Sequence, residues 1–116
     1  MTSTQLLDEE GAITVKFEEC LKAIFAKYCT PKSTDGSLSK DAHLTDEGLD
    51  AFAKDTNGSP FSQETKDEIL EFMDATEDGF LTFKGFLQVY QLQTENDEEE
   101  TWKDLSRHGY DRSLEK

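Results

Sequence analysis

The chain has 116 residues, enough for one hydrophobic core but not for two independent ones. It carries 26 acidic and 12 basic residues, and its net charge of −14 repels phosphate backbones and anionic lipid head groups, so neither nucleic acid nor a membrane surface is expected as a partner. The same charge attracts a metal ion or a basic segment of another protein, although over most of the surface the acidic residues are expected only to keep the protein in solution. No stretch approaches the ~20 apolar residues that span a membrane.

The N-terminal segment, residues 1–13, is polar and acidic and is predicted to be a flexible tail. It lacks the basic start and apolar run of a secretory signal. Thr14 can cap a first helix that extends to about Tyr28, because apolar residues recur there at helical spacing. These residues are Phe17, Leu21, Ile24, Phe25 and Tyr28. Pro31 ends the helix, and residues 30–43 form a polar loop.

Two cysteines, Cys20 and Cys29, fall in or near this first helix. A helix would hold them roughly 13 Å apart at 1.5 Å per residue, too far for a disulfide. With two scattered histidines they also give no zinc-site spacing. We therefore expect reduced thiols in a cytoplasmic protein.

Three further helices are predicted in the middle of the chain. Thr45 caps the second, which ends near Asp55, and turn-forming residues at 56–60 separate it from a third helix capped by Ser62. The fourth begins at Thr82. The side chains predicted to share one core are Phe17, Leu21, Phe25, Phe52, Ile69, Phe72, Phe86 and Tyr90.

Two short segments of the chain repeat one another. Residues 44–49 read Leu-Thr-Asp-Glu-Gly-Leu, and residues 81–86 read Leu-Thr-Phe-Lys-Gly-Phe. Each stands between a polar loop and an amphipathic helix, and another amphipathic helix precedes each loop. The sequence thus predicts two helix–loop–helix units, over residues 14–56 and 61–93.

The loop of the second unit has the residue pattern of a calcium-binding loop. Oxygen-bearing side chains stand at its first, third, fifth and ninth positions, and a backbone carbonyl is available at the seventh. Gly79 lies at the sixth position, where the chain must turn sharply. The predicted ligands are Asp74, Thr76, Asp78, the carbonyl of Phe80, and Thr82.

With its flanking helices, this pattern resembles the EF-hand family over residues 14–92. The resemblance implies an all-α fold with an EF-hand pair over residues 14–93, in which the first hand is degenerate. In such a pair Leu44 and Leu81 would face each other in a short two-strand bridge.

The loop departs from the family pattern at two positions. Its twelfth residue is Gly85, where the family has a bidentate Glu, and its third is Thr76, a weaker ligand than Asp or Asn. Calcium is therefore expected to bind weakly, on the order of 10⁻⁴–10⁻³ M or poorer, and Gly85→Glu is expected to strengthen binding if the loop is correctly shaped. The alternative is a purely structural EF-hand unit, in which Asp74 serves as a cap, Gly79 allows the chain to turn and no metal binds.

The last segment, residues 94–116, is predicted to contain an acidic connector, a C-terminal helix and a tail. Asp97 can cap the helix, with Glu100 three residues later as in a capping box, and Gly109 can end it.

This C-terminal helix has an apolar face formed by Trp102 and Leu105. The polar residues around them, Lys103, Asp104 and Arg107, are expected to point away from the protein.

Residues 81–87 and 100–111 resemble the EF-hand regions of the mitochondrial Rho GTPases. In that family a Thr-Trp-x-x-Leu-x-x-x-Gly-Tyr-Asp segment is a helix that docks into the neighbouring EF-hand pair as a mimic of a bound ligand. The resemblance implies docking in cis through Trp102, Leu105 and Tyr110. Only this module carries over, and neither the GTPase activity nor organelle tethering follows.

No pattern of catalytic residues stands out, because His43 and His108 lie far apart, no nucleophile neighbours either, and no Gly-rich phosphate loop occurs. The sequence predicts a non-catalytic, monomeric protein-binding module whose partner is another protein with an amphipathic or basic helix. In one form of this prediction, the module responds to calcium bound at the loop that begins with Asp74. The alternative is a metal-independent helical interaction or adaptor protein, which Gly85 favours.

Overall fold

The computed structural model describes residues 4–31, 38 and 40–115. This part of the chain contains five helices and one two-stranded antiparallel sheet. The helices are α1 (Val15–Ala26), α2 (Asp46–Asn57), α3 (Gln63–Phe72), α4 (Phe83–Asn96) and α5 (Glu98–Arg107), and the strands are β1 (His43–Leu44) and β2 (Leu81–Thr82). The predicted helical fold class is confirmed, since the strands are only two residues long.

The first four helices begin at the predicted hydroxyl-bearing N-caps. Each cap side chain accepts a hydrogen bond from the backbone N–H three residues later, which satisfies one of the amide groups that a helix start leaves unpaired. The caps are Thr14, Thr45, Ser62 and Thr82. Asp97 does the same for α5, where its carboxylate accepts from Glu100 N at 3.4 Å.

The two strands join the loops that precede α2 and α4. His43 lies opposite Thr82, and Leu44 lies opposite Leu81, as predicted. Both leucines are buried, with exposures of 2% and 1%. The bridge therefore brings the two repeated segments side by side over the core.

Most of the predicted core is confirmed, but Phe72 is a wrong prediction. Its side chain is 72% exposed, and Ile69 is only partly buried. Helix α3 is fixed to α2 by an ion pair between Lys66 Nζ and Asp50 Oδ1 at 2.9 Å. At the end of α3, Ile69, Leu70 and Met73 pack against the core while Phe72 is exposed, and the chain becomes extended at Met73.

Part of the N-terminal segment predicted as a flexible tail packs on the core, while residues 1–3 lie outside the described part of the chain. Leu6 is 2% exposed and belongs to the core, as does Leu114 from the other end of the chain. The two ends are joined by a hydrogen bond from Thr4 N to the carbonyl of Arg112 at 2.8 Å. A single buried leucine thus holds this polar segment against the core.

The acidic stretch at residues 95–100 lies at the junction of two helices, because α4 continues to Asn96 and only Asp97 separates it from α5. The acidic residues 98–100 form the first turn of α5. Negative charge there is favourable, since it faces the positive end of the helix dipole.

Cys20 and Cys29 are both buried thiols, and they form no disulfide with each other. Among the described residues, no helix is both long and apolar enough to cross a membrane.

Candidate functional site

The predicted calcium loop is closed by its own hydrogen bonds. The carbonyl of Asp74 accepts from the backbone N–H and the hydroxyl of Thr82, and that hydroxyl also lies 2.5 Å from the Asp74 carboxylate. Thr76 N donates to the carbonyl of Phe80 at 2.8 Å, and Phe80 N donates back to the Thr76 hydroxyl at 3.1 Å. Four of the five predicted ligands are therefore engaged with one another, and Asp78 is exposed.

Gly85, the twelfth residue of the loop, lies close to the backbone of the loop's first residue. A Cβ built on Gly85 would lie 2.2 Å from the carbonyl oxygen of Asp74. The place where a twelfth-position side chain would begin is thus taken by the backbone of the first position. In the described part of the chain, no three His, Cys, Asp or Glu side chains are grouped so that they could hold a metal ion.

The first unit has the same contact at the equivalent glycine. A Cβ on Gly48 would lie 2.6 Å from the carbonyl oxygen of Tyr28, which follows α1 as Asp74 follows α3. Gly48 N and Gly85 N donate to the capping hydroxyls of Thr45 and Thr82. Each residue of the Leu-Thr-x-x-Gly repeat therefore has a role: Leu forms the bridge, Thr caps the helix, and Gly allows a backbone carbonyl to approach.

The predicted docking residues of α5 lie against the rest of the protein. Trp102 and Leu105 are 4% and 1% exposed and belong to the core, and the helix that carries them contacts α4 and α2. The indole Nε1 donates to Glu98 at 3.1 Å, and the guanidinium of Arg112 lies 4.8 Å from the ring centroid. Tyr110 packs against the core at its edge.

The end of α5 is fixed by the predicted glycine. Gly109 has φ +90°, and its N–H donates to the carbonyl of Ser106, while Tyr110 N donates to the carbonyl of Leu105. This pair of bonds is the Schellman motif, and it turns Tyr110 back towards the core.

Asp104 is predicted from the sequence to point away from the protein, and this prediction is wrong. Its side chain is buried between α4 and α5. Its Oδ2 accepts from the hydroxyl of Tyr90 at 3.0 Å and from Gln93 Nε2 at 3.1 Å. Thr101 lies one turn earlier, 2.9 Å from the hydroxyl of Thr94. These bonds satisfy the polar groups that the two helices bury together.

His108 is a second residue that sequence reasoning misses. Its ring stacks on Phe52 with centroids 5.9 Å apart. Its Nε2 lies 2.7 Å from the hydroxyl of Thr56, and Lys27 Nζ lies 3.4 Å from Nδ1. Because an ammonium group can only donate, the Nε2 proton is directed to Thr56. Residues 101, 104, 105 and 108 recur at helical spacing and are all buried. This spacing is the sequence signal that could have identified the buried face of α5.

The buried carboxyl of Asp104 is expected to make the stability of the protein depend on pH. Burial raises its pKa, against hydrogen bonds from Gln93 and Tyr90 that lower it. A raised pKa means that the folded state binds the proton more strongly, so this group's contribution to stability falls as pH rises from its ordinary value of 3.8 through the folded pKa. Asp104→Asn, which keeps an oxygen for both donors, is expected to be more stable than the unchanged protein at neutral pH, and the difference should shrink towards about pH 4. Urea unfolding at a series of pH values measures it.

Asp111→Asn is the control of opposite sign. Hydrogen bonds from Ser113 and Glu115 lower the pKa of Asp111, so its substitution is expected to cost a little stability at neutral pH and less in acid. If both variants show the same pH trend, Asp104 does not act as a buried carboxyl.

An open apolar groove of about 400 Å³ lies between α3 and α4. Ile69, Phe72 and Met73 line one side, and Val89 and Leu92 line the other. Phe72, which is predicted from the sequence to lie in the core, instead lines this groove with an exposed side chain.

A comparison with models of known protein families finds no match to this chain, and a comparison with curated protein sequences also finds none.

Proposed function

We propose that this protein is a non-catalytic, EF-hand-type protein-binding module that carries its own helix on a helix-binding surface. The burial of Trp102 and Leu105 is the observation that carries the proposal. These two anchors lie three residues apart on an amphipathic helix, and that helix contacts α2 and α4, one from each unit. Spaced apolar anchors in a groove are the usual means by which a helix is recognised.

The repeated architecture supports the EF-hand part of this proposal. Leu44 pairs with Leu81, and the two loops are also joined by stacking of His43 on Phe80, with ring centroids 5.2 Å apart. Equivalent caps and equivalent glycines follow the bridge in both units. The resemblance of the C-terminal segment to the ligand-mimic helix of the mitochondrial Rho GTPases supports the same function for α5.

The metal-independent form of the module is the one we favour. The carbonyl of Asp74 fills the position beside Gly85 where a twelfth ligand would start, so calcium at this loop is proposed to bind weakly. The partner is proposed to be another protein that contributes an amphipathic or basic helix. We propose that the module acts as a monomer in the cytoplasm.

The proposal is tested by supplying α5 in trans. A chain ending at Asn96 is expected to bind a peptide with the sequence of residues 97–115, saturably and with one site, because the contacts of Trp102 and Leu105 do not need a covalent link to α4. Binding is measured by calorimetry, and recovery of the helical circular dichroism signal is measured in parallel. The second measurement covers the case in which the shortened chain folds only with the peptide.

The matched control is the same peptide with serine in place of Trp102 and Leu105, which should neither bind nor restore the signal. Equal binding of both peptides, or no recovery with the unchanged one, would refute the proposal.

A further inference from the structure

The groove between α3 and α4 lies beside the surface that α5 covers, and Gln93 of α4 borders both, since it lines the groove and donates to Thr101 and Asp104 of α5. Tyr90 and Thr94 of α4 bond to residues of α5, whereas Val89 and Leu92 face the groove. Phe72 is 72% exposed and Leu92 is 50% exposed, so large apolar groups on both walls are open to solvent. An apolar surface of this kind in a small protein commonly marks an interaction site.

The walls of the groove determine which backbone conformation an occupant can have. Both walls are helices, whose backbone groups are already bonded within the helix, so neither offers a strand edge for β-strand addition. A helix satisfies its own backbone and can be buried on such a surface. From Val89 to Asn96, the α4 wall is roughly 10 Å long at 1.5 Å per residue, which matches two turns of a partner helix.

The charge around the groove determines the composition of that helix. Glu68 lines the groove, and Glu95 lines its continuation along α4. None of the described residues that line either part is basic, and Lys66, the basic residue of α3, is paired with Asp50 on α2. An acidic rim around apolar walls is complementary to a helix with apolar anchors and basic flanks. A second copy of this chain, with its charge of −14, would be repelled.

We propose that this groove docks a basic amphipathic helix of another protein while α5 stays in place. The inference rests on the proposed function, since it names the surface and the partner chemistry of the same module. In this proposal α5 stabilises the fold, and the groove between α3 and α4 binds the partner protein.

The test uses the full chain and a synthetic peptide that contains no tryptophan. The peptide is a lysine–leucine helix with leucines at positions i, i+3, i+4 and i+7, and its matched counterpart has glutamate in place of every lysine. The basic peptide is expected to bind with micromolar affinity that falls as salt increases, and the acidic one to bind at least tenfold more weakly.

Variants of the full chain locate the binding. Phe72→Ser and Leu92→Ser are each expected to weaken binding of the basic peptide at least tenfold. Val15→Ser is the matched control, because Val15 is 76% exposed but lies on α1, outside the groove. The control should bind like the unchanged chain. Equal affinity of all three variants would overturn the proposal.

Trp102 distinguishes failure of this inference from failure of the proposed function. As the chain's one tryptophan, it reports on α5, and its emission should not change when the peptide binds. A red shift on binding would mean that the peptide displaces α5, which overturns the groove assignment but supports helix binding by the module. No binding of either peptide, or a dimer in sedimentation that Phe72→Ser dissociates, would overturn the groove assignment and leave the peptide-in-trans test of α5 unaffected.

Discussion

Replacing Trp102 by alanine is expected to lower the free energy of unfolding by about 3–5 kcal/mol. The ring is 4% exposed and belongs to the core, so its loss leaves a cavity that the helices cannot easily close. The substitution also removes the bond from Nε1 to Glu98 and the ring face against Arg112. Urea unfolding followed by far-ultraviolet circular dichroism measures the loss without relying on tryptophan emission.

Ser106→Ala is the control on the same helix. Ser106 is exposed, so its change is expected to stay within about 0.5 kcal/mol. Red-shifted, readily quenched Trp102 emission in the unchanged protein, or equal stability of the two variants, would contradict the docking of α5.

Replacing Gly85 by alanine is expected to destabilise the protein by roughly 1–3 kcal/mol. The new Cβ would lie 2.2 Å from the carbonyl oxygen of Asp74 and 2.6 Å from Leu81 Cδ1. A side chain can rotate away from such a contact, but the backbone carbonyl cannot move without shifting the end of α3. Gly48→Ala meets the carbonyl of Tyr28 at 2.6 Å and is expected to have an effect of the same sign.

The sign of the change is what makes this test decisive. In an open helical position, Gly→Ala normally stabilises by about 0.5–1 kcal/mol, because alanine loses less backbone entropy on folding. A stabilised Gly85→Ala variant in chemical denaturation would therefore show that Asp74 does not approach as described.

The same contact changes what is expected of Gly85→Glu. From the sequence, a glutamate at this twelfth position completes the calcium ligand set. With the carbonyl of Asp74 in the way, it is expected to destabilise the protein and to leave calcium affinity weak. Calorimetric calcium titrations of the two proteins measure the affinities. A gain of more than tenfold for the variant would restore the sequence-based expectation.

The sequence by itself determined the local features of this protein. The caps at Thr14, Thr45, Ser62 and Thr82 were predictable because a hydroxyl before an apolar helical stripe satisfies helix N–H groups close to it in the chain. The pairing of Leu44 with Leu81 was predictable because the repeat places both at the same point of two similar units. The burial of Trp102 and Leu105 followed from their helical spacing and from the size of their apolar surfaces.

Only the tertiary structure decided which faces are covered. Helical spacing places Phe72 and Ile69 on one stripe, but whether a neighbour covers that stripe depends on where α3 sits. Asp104 has the composition of a surface residue, and it is buried because Tyr90 and Gln93 of another helix supply its hydrogen bonds.

Contacts between distant segments also determine the two ends of the chain and the predicted calcium loop. Leu6 belongs to the same core as Leu114, more than 100 residues later, and Thr4 N donates to the carbonyl of Arg112. Gly85 reads as a missing ligand in the sequence, whereas in the fold it is the contact point of a backbone carbonyl from eleven residues earlier. The local sequence pattern predicts helix caps and the apolar face of each helix. Whether a residue is buried depends on contacts between distant segments, because burial and close approach are properties of pairs of elements.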